Sequence, residues 1–169
     1  MHQPHKNAVL SGPCNLVTGA LGFVGSHLLR SLVAAGIPTV GIDRLDDPPP
    51  RLGIFERAGE IEGLPGAIRY RGPLGEFIYY QQDLLDAASL SAKFATLRPV
   101  MVYHLAAQSS AGASFDDPAG TLAANLTGTT NLLEAIRALP DAERPILLSV
   151  GSAEEYGAQP EPWVPIRED

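Results

Sequence analysis

NLVTGALGFVGSHLLR, residues Asn15 to Arg30, joins a short apolar run to Gly19, Gly22 and Gly25 and then turns amphipathic. Leu16 and Val17 supply a buried strand, and Val24, Leu28, Leu29 and Leu32 recur at helical spacing after the glycines. The stretch therefore reads as strand, tight turn and helix. Glycine permits the positive φ and close backbone approach that such a turn needs, and the N–H groups opening the helix attract a pyrophosphate. Gly-x-x-Gly-x-x-Gly alone is weak, but between a strand and a helix it reads as a dinucleotide site rather than a merely structural turn.

The same reading extends along the chain. Gly36 is placed to stop the first helix, and Pro38 to Asp43 reads as a second strand ending in a carboxylate, 18 residues after Gly25. A strand-end acid at this distance can accept hydrogen bonds from an adenosine ribose, which favours NAD, whereas its neighbour Arg44 is suited to a 2′-phosphate and so to NADP. Residues 45–76 are rich in Pro, Gly and charge, and read as a long connection, a lid or a tolerated insertion, with one short helix around Leu52 to Ala58. Phe77 to Gln82 returns to strand composition and ends at Asp83-Leu84. Asp86 then caps a helix running to about Leu97, closed by Pro99.

Val100 to Leu105 is apolar on both faces except for His104, so it belongs in the middle of a parallel sheet. A lone histidine there reads as a packed, hydrogen-bonded core residue rather than a catalyst. Ala106, Ala107, Gln108, Ser109 and Ser110 follow at the carboxyl end of that strand, where open α/β sheets bind ligands. Leu122, Leu126, Leu133 and Ile136 mark a long helix from Pro118 to Leu139, interrupted by nothing stronger than Gly128 and suited to a core or a subunit interface. Pro145 to Val150 is a fifth strand. Alternation of strand and helix implies an α/β fold, a doubly wound parallel sheet with right-handed crossovers.

Composition narrows the function classes. The 169 residues, 45% hydrophobic, suffice for one good core. A net charge of −7, from 12 Lys and Arg against 19 Asp and Glu, argues against nucleic acid or an anionic membrane as the main partner. One cysteine, Cys14, excludes a disulfide framework within the chain, and with neither a membrane span nor a secretory signal in view a cytoplasmic protein is expected. Residues 1–12 read as a flexible leader, in which His2 and His5 belong to a loose tail rather than to a metal site, and residues 13–169 as one dinucleotide-binding domain.

Taken together, TGALGFVG at 18–25, Asp43, Asp83-Leu84, HLAA at 104–107 and SAEEYG at 152–157 resemble the extended short-chain dehydrogenase/reductase family over nearly all of the chain after residue 14. Within it, HLAAQSS at 104–110, NLTGTTNLLEA at 125–135 and VGSAEEYG at 150–157 look most like nucleotide-sugar enzymes of the GDP-mannose dehydratase and GDP-4-keto-6-deoxymannose reductase type. The resemblance implies a Rossmann-like fold in which Gly19, Gly22 and Gly25 bed the pyrophosphate, Phe23 and Val24 offer backbone amides and Asp43 holds the ribose. Asp83 and Leu84 would flank the adenine, Ala106, Ala107 and Gln108 would lie along the cofactor, and Asn125 would support the site from the long helix.

The resemblance also makes Ser152 the hydroxyl that hydrogen-bonds the sugar oxygen at the carbon exchanging hydride, and Glu154 the acid/base of water elimination, with Glu155 as its nearest competitor. It implies a nucleotide-sugar substrate, a GDP-sugar being favoured, and a homodimer. One departure stands out. The family's Tyr-x-x-x-Lys pair lies about two dozen residues beyond the catalytic serine, whereas this sequence runs 17 residues past Ser152 and contains no such pair. The expectation is the amino-terminal, cofactor-binding part of a nucleotide-sugar oxidoreductase or dehydratase, incomplete on its carboxyl-terminal side; the alternative is a truncated, non-catalytic dinucleotide-binding protein.

Overall fold

The computed structural model describes residues 12–46 and 52–157, and of Ala153 and Glu154 only the backbone. The leader at 1–11, the Pro48 to Pro50 triplet and the segment 158–169 lie outside the described residues. Seven strands form one sheet. In chain order they are β1 (Asn15–Thr18), β2 (Thr39–Asp43), β3 (Glu56–Glu60), β4 (Ala67–Gly72), β5 (Gly75–Gln81), β6 (Met101–His104) and β7 (Ile146–Ser149), with spatial order β3-β4-β5-β2-β1-β6-β7. β1 pairs in parallel with β2 and β6, β2 with β5, and β6 with β7. The chain thus folds as the doubly wound, mostly parallel Rossmann-like sheet that its alternation implies.

Helices cover both faces. α1 (Phe23–Ala34) follows β1 and buries Leu29, Leu32 and Val33 against Val17, Phe77 and Tyr79. Each such side chain, fully withdrawn from water, contributes about 1.5–3 kcal/mol. The helix closes where Gly36 was expected to stop it, with Gly36 N–H donating to the Val33 carbonyl at 2.9 Å and Ile37 N–H to Leu32 at 3.0 Å. Val24, read from sequence as part of the apolar stripe, is instead exposed on the first turn. On the opposite face, α2 (Ala87–Leu97) and α5 (Gly128–Arg137) enclose Leu16, Val40, Ile78, Leu90, Phe94 and Leu132. Asp86 caps α2 as its position predicts, its Oδ1 accepting from Ser89 N–H at 3.0 Å.

Three sequence expectations need correction. Residues 45–76 are not a bare connection, and Leu52 to Ala58 is not a helix. β3 and β4 add two antiparallel strands at the sheet edge, so the five expected strands become seven. The physical reason is pairing across β4 and β5: Tyr70 stacks on Phe77 with ring centroids 5.3 Å apart, and Arg71 pairs with Glu76 at 2.7 Å. The charged, exposed side chains of β3 suit an edge strand and disguise it as a loop. The long helix after Pro118 is likewise divided into α4 (Pro118–Leu122), a π-helical turn (Ala123–Thr127) and α5. Gly128 does not break it; a Cβ there would stand 3.2 Å from Leu84 Cβ, so glycine lets the helix pass close to that turn. A further short helix, α3 (Ala111–Asp116), is capped by Ser110, whose Oγ accepts from Ala113 N–H at 3.3 Å.

Candidate functional site

Parallel pairing brings the ends of β1, β2, β5 and β6 to one edge, with Thr18 level with Ile42 and with His104, and Asp43 level with Gln81. A crevice of about 580 Å³ opens along that edge. Gly19, Gly22, Asp43, Arg44, Asp83, Leu84, Ala106, Ala107 and Gln108 all line it, which gathers nine sequence-predicted residues at one place. This is the site that the carboxyl ends of an open parallel sheet provide for a ligand.

The glycine turn is built by contacts that exclude side chains. Gly19 has φ 66°, and a Cβ on it would lie 2.8 Å from the Ala106 nitrogen. A Cβ on Gly25 would lie 2.0 Å from the Gly19 carbonyl oxygen, so the first turn of α1 presses directly on the loop. Gly22 N–H donates to that same carbonyl at 3.0 Å. At the helix start Gly22 makes no side-chain capping bond and no acidic residue occupies the first turn. The positive end of the helix dipole there suits a pyrophosphate. Phe23 and Val24 stand exposed at this end, while Gly25 is buried behind it.

Asp43 closes the turn from β2. Its Oδ2 accepts from Leu21 N–H at 3.0 Å and its Oδ1 from Leu45 N–H at 3.3 Å, leaving further acceptor positions on a half-exposed carboxylate. Arg44 points from the same rim and is exposed. Tyr79 donates its hydroxyl to the Asp43 and Leu45 carbonyls, and burial first, then the nearby Asp43 charge, pushes its ionisation far up. The opposite wall is set by Gln82. Its amide donates to the Asp83 carbonyl at 2.6 Å, and its oxygen accepts from Lys93 Nζ at 2.6 Å and from Ser89 Oγ at 2.8 Å. Asn131 fixes Leu84 through its carbonyl at 2.8 Å.

Asn125 sits in the π-helical turn, outside the crevice lining, and grips the Gln108 peptide from both sides. Its Oδ1 accepts from Gln108 N–H at 2.7 Å and its Nδ2 donates to the Gln108 carbonyl at 3.0 Å. Ser152 is exposed beyond β7, at the same edge of the sheet but not in the crevice lining. The Glu154 side chain lies outside the described residues. Sequence reading missed Gln82, Leu45 and Leu85 and the far wall of Ala113, Asp117, Gly120 and Thr121. Of these only Asp117 carried a signal, an N-cap acid before a first-turn proline, and its Oδ1 accepts from Gly120 N–H at 2.9 Å. Among the described residues no group of His, Cys, Asp and Glu could hold a metal ion, and no helix is long and apolar enough to cross a membrane.

Comparison with known proteins converges on one group. The family described as GDP-mannose 4,6 dehydratase matches residues 16–169. UDP-glucose 4-epimerase of Mycolicibacterium smegmatis is 35% identical over 145 residues, 86% of this chain and 41% of that protein. GDP-mannose 4,6 dehydratase 2 of Caenorhabditis elegans is 34% identical over 142 residues, covering 84% and 35%. Among solved structures, UDP-glucose-4-epimerase from Stenotrophomonas maltophila, with bound NAD and formylated UDP-arabinopyranose, superposes with a TM-score of 0.66 at 27% identity, covering 88% of this chain and 39% of that one. The chain therefore spans about a third to two fifths of the length of the relatives it matches.

Proposed function

From the premise that this chain belongs to the GDP-mannose 4,6-dehydratase family, within the extended short-chain dehydrogenases/reductases, we propose that it binds NAD(H) and forms the cofactor-binding part of a nucleotide-sugar dehydratase or epimerase. The observation that carries this is the closure of the glycine turn by Asp43: a helix start free of side-chain caps and a ribose-ready carboxylate face one crevice. When bound, the cofactor supplies hydride transfer at a sugar carbon. Gly19, Gly22 and Gly25 admit its pyrophosphate, with Phe23 and Val24 contributing backbone. Asp43 accepts from the ribose hydroxyls and repels a 2′-phosphate, so NAD is preferred despite the adjacent Arg44.

Asp83 and Leu84 flank the adenine, and Ala106, Ala107 and Gln108, the last held by Asn125, floor the crevice. Ser152 donates to or accepts from the sugar oxygen, and Glu154 acts as acid/base where water is eliminated. The substrate is a nucleotide sugar, with GDP favoured as the nucleotide. Assembly of the complete protein into cytoplasmic homodimers belongs to the same proposal, and the exposed Leu122, Leu126 and Leu133 support such a contact. A second reading, a dinucleotide-binding protein without turnover of its own, is favoured by one observation: Ser152 stands outside the crevice lining.

Calorimetric titration of NADH and NADPH into the 169-residue chain tests the cofactor reading. NADH should bind at least about tenfold more tightly, a difference of 1.4 kcal/mol; preference for NADPH, or no binding of either, would overturn it. Incubation of the complete protein with NAD and GDP-mannose, UDP-glucose or dTDP-glucose then separates the two readings by whether a keto or epimerised sugar forms.

A further inference from the structure

We propose that His104 is a positioning residue of the dinucleotide crevice, a neutral imidazole whose two ring nitrogens tie the glycine-turn side of the crevice to its Gln108 side. The proposal rests on the dinucleotide reading above and deepens it. Thr18 Oγ1 lies 3.2 Å from both Leu105 N and Ala106 N and 2.7 Å from His104 Nδ1. The two backbone amides can only donate, that of Leu105 being shared with the Thr18 carbonyl at 3.3 Å, so they occupy the hydroxyl's acceptor positions and its proton goes to Nδ1. Nδ1 is therefore the bare nitrogen, and Nε2 carries the proton. Nε2 stands 2.9 Å from Thr129 Oγ1, which itself stands 2.6 Å from the Asn125 carbonyl oxygen.

A carbonyl can only accept, so the Thr129 proton is committed to Asn125 and Thr129 must accept from Nε2–H. The amides on Thr18 and the carbonyl of Asn125 fix the same direction. The relay runs Thr18 to His104 to Thr129 to the Asn125 carbonyl, with every proton assigned. Burial, which pushes the imidazolium form down, works toward the same neutral state.

Both ends of the relay bear on the crevice. At one end Thr18 holds the Leu105–Ala106 peptide, which lies so close to Gly19 that a Cβ there would meet the Ala106 nitrogen. At the other end Asn125, in the π-helical turn, grips the Gln108 peptide by two hydrogen bonds. Leu105 to Gln108 is the floor of the crevice, and the imidazole joins the residues that hold its two ends. A histidine kept only for packing would be replaceable by an apolar side chain of similar bulk without effect on ligand affinity.

Two measurements test this on the full chain. Long-range ¹H–¹⁵N NMR of the histidine ring should give a protonated Nε2 and a bare Nδ1; an Nδ1–H ring would overturn the relay whatever the variants do. Calorimetry with NADH should show T18V and H104L each weakening binding by about tenfold, with the double variant no worse than H104L, as expected of one connected unit. His104→Asn, whose amide oxygen can still accept from Thr18, should recover most of that affinity. Circular dichroism establishes that each protein titrated is folded. Folded H104L binding NADH within twofold of the parent would sink the relay and leave the dinucleotide reading intact. Failure of the parent chain to bind NADH would remove both.

Discussion

The Leu21 amide donates to Asp43 Oδ2 at 3.0 Å, so the carboxylate that ends β2 also closes the glycine turn that follows β1. Asp43→Ala removes this bond and the one to Leu45 N–H together. A hydrogen bond to an ionised group is worth about 1.5–3 kcal/mol, and partial exposure places this pair at the low end. The variant should lose about 1.5 kcal/mol in urea unfolding and also bind NADH more weakly. Unchanged NADH affinity at reduced stability would assign Asp43 to the turn alone.

Gly25 leaves no space for a methyl group. Its Cβ would lie 2.0 Å from the Gly19 oxygen and 2.8 Å from the Gly19 carbon, both backbone atoms that cannot rotate aside. Gly25→Ala should therefore cost about 3 kcal/mol by overpacking. A urea midpoint unchanged from the parent would contradict the close approach of α1 to the turn.

His104 makes stability depend on pH in a defined direction. Burial lowers its folded-state pKa below the ordinary 6.5, while the unfolded chain keeps the ordinary value. As pH falls through about 6.5 the unfolded state takes up a proton that the folded state refuses, so stability drops until the depressed folded pKa is reached. The parent should lose more thermal stability between pH 7.5 and 5.5 than His104→Asn. Equal losses would place the titration elsewhere.

Cys14 is buried in the core, with its thiol directed at the Leu97 carbonyl, and burial raises its pKa to about 11. Only the thiolate reacts, so alkylation by iodoacetamide at pH 7.5 should be negligible in the folded chain and rapid in urea. Mass spectrometry of the native protein showing prompt modification would mean that the β1 end opens readily.

Much of this was legible in the sequence because local pattern and tertiary role agree. The strand before Gly19, the cap at Asp86 and the carboxylate at Asp43 each follow from residues a few positions apart. β3 and β4 escaped because their identity lies in partners rather than in pattern. An edge strand reading Glu-Arg-Ala-Gly-Glu has no apolar alternation and shows only in its pairing with β4, which Tyr70 against Phe77 and Arg71 against Glu76 join in turn to β5. His104 was legible as a hydrogen-bonded core residue, yet its two partners lie 86 and 25 residues away in sequence, beyond the reach of any spacing rule. The π-helical turn left no mark either. Leu122, Leu126 and Leu133 keep a helical rhythm through it while the backbone gains its extra residue per turn.

The added edge strands also stand apart from the crevice. β5 must run parallel to β2, and the chain reaches it after two reversals, at the β3–β4 and β4–β5 turns. Neither β3 nor β4 lends a residue to the crevice, whose walls come from the ends of β1, β2, β5 and β6. Removal of the β3–β4 hairpin would therefore shorten the sheet and leave the crevice walls where they stand.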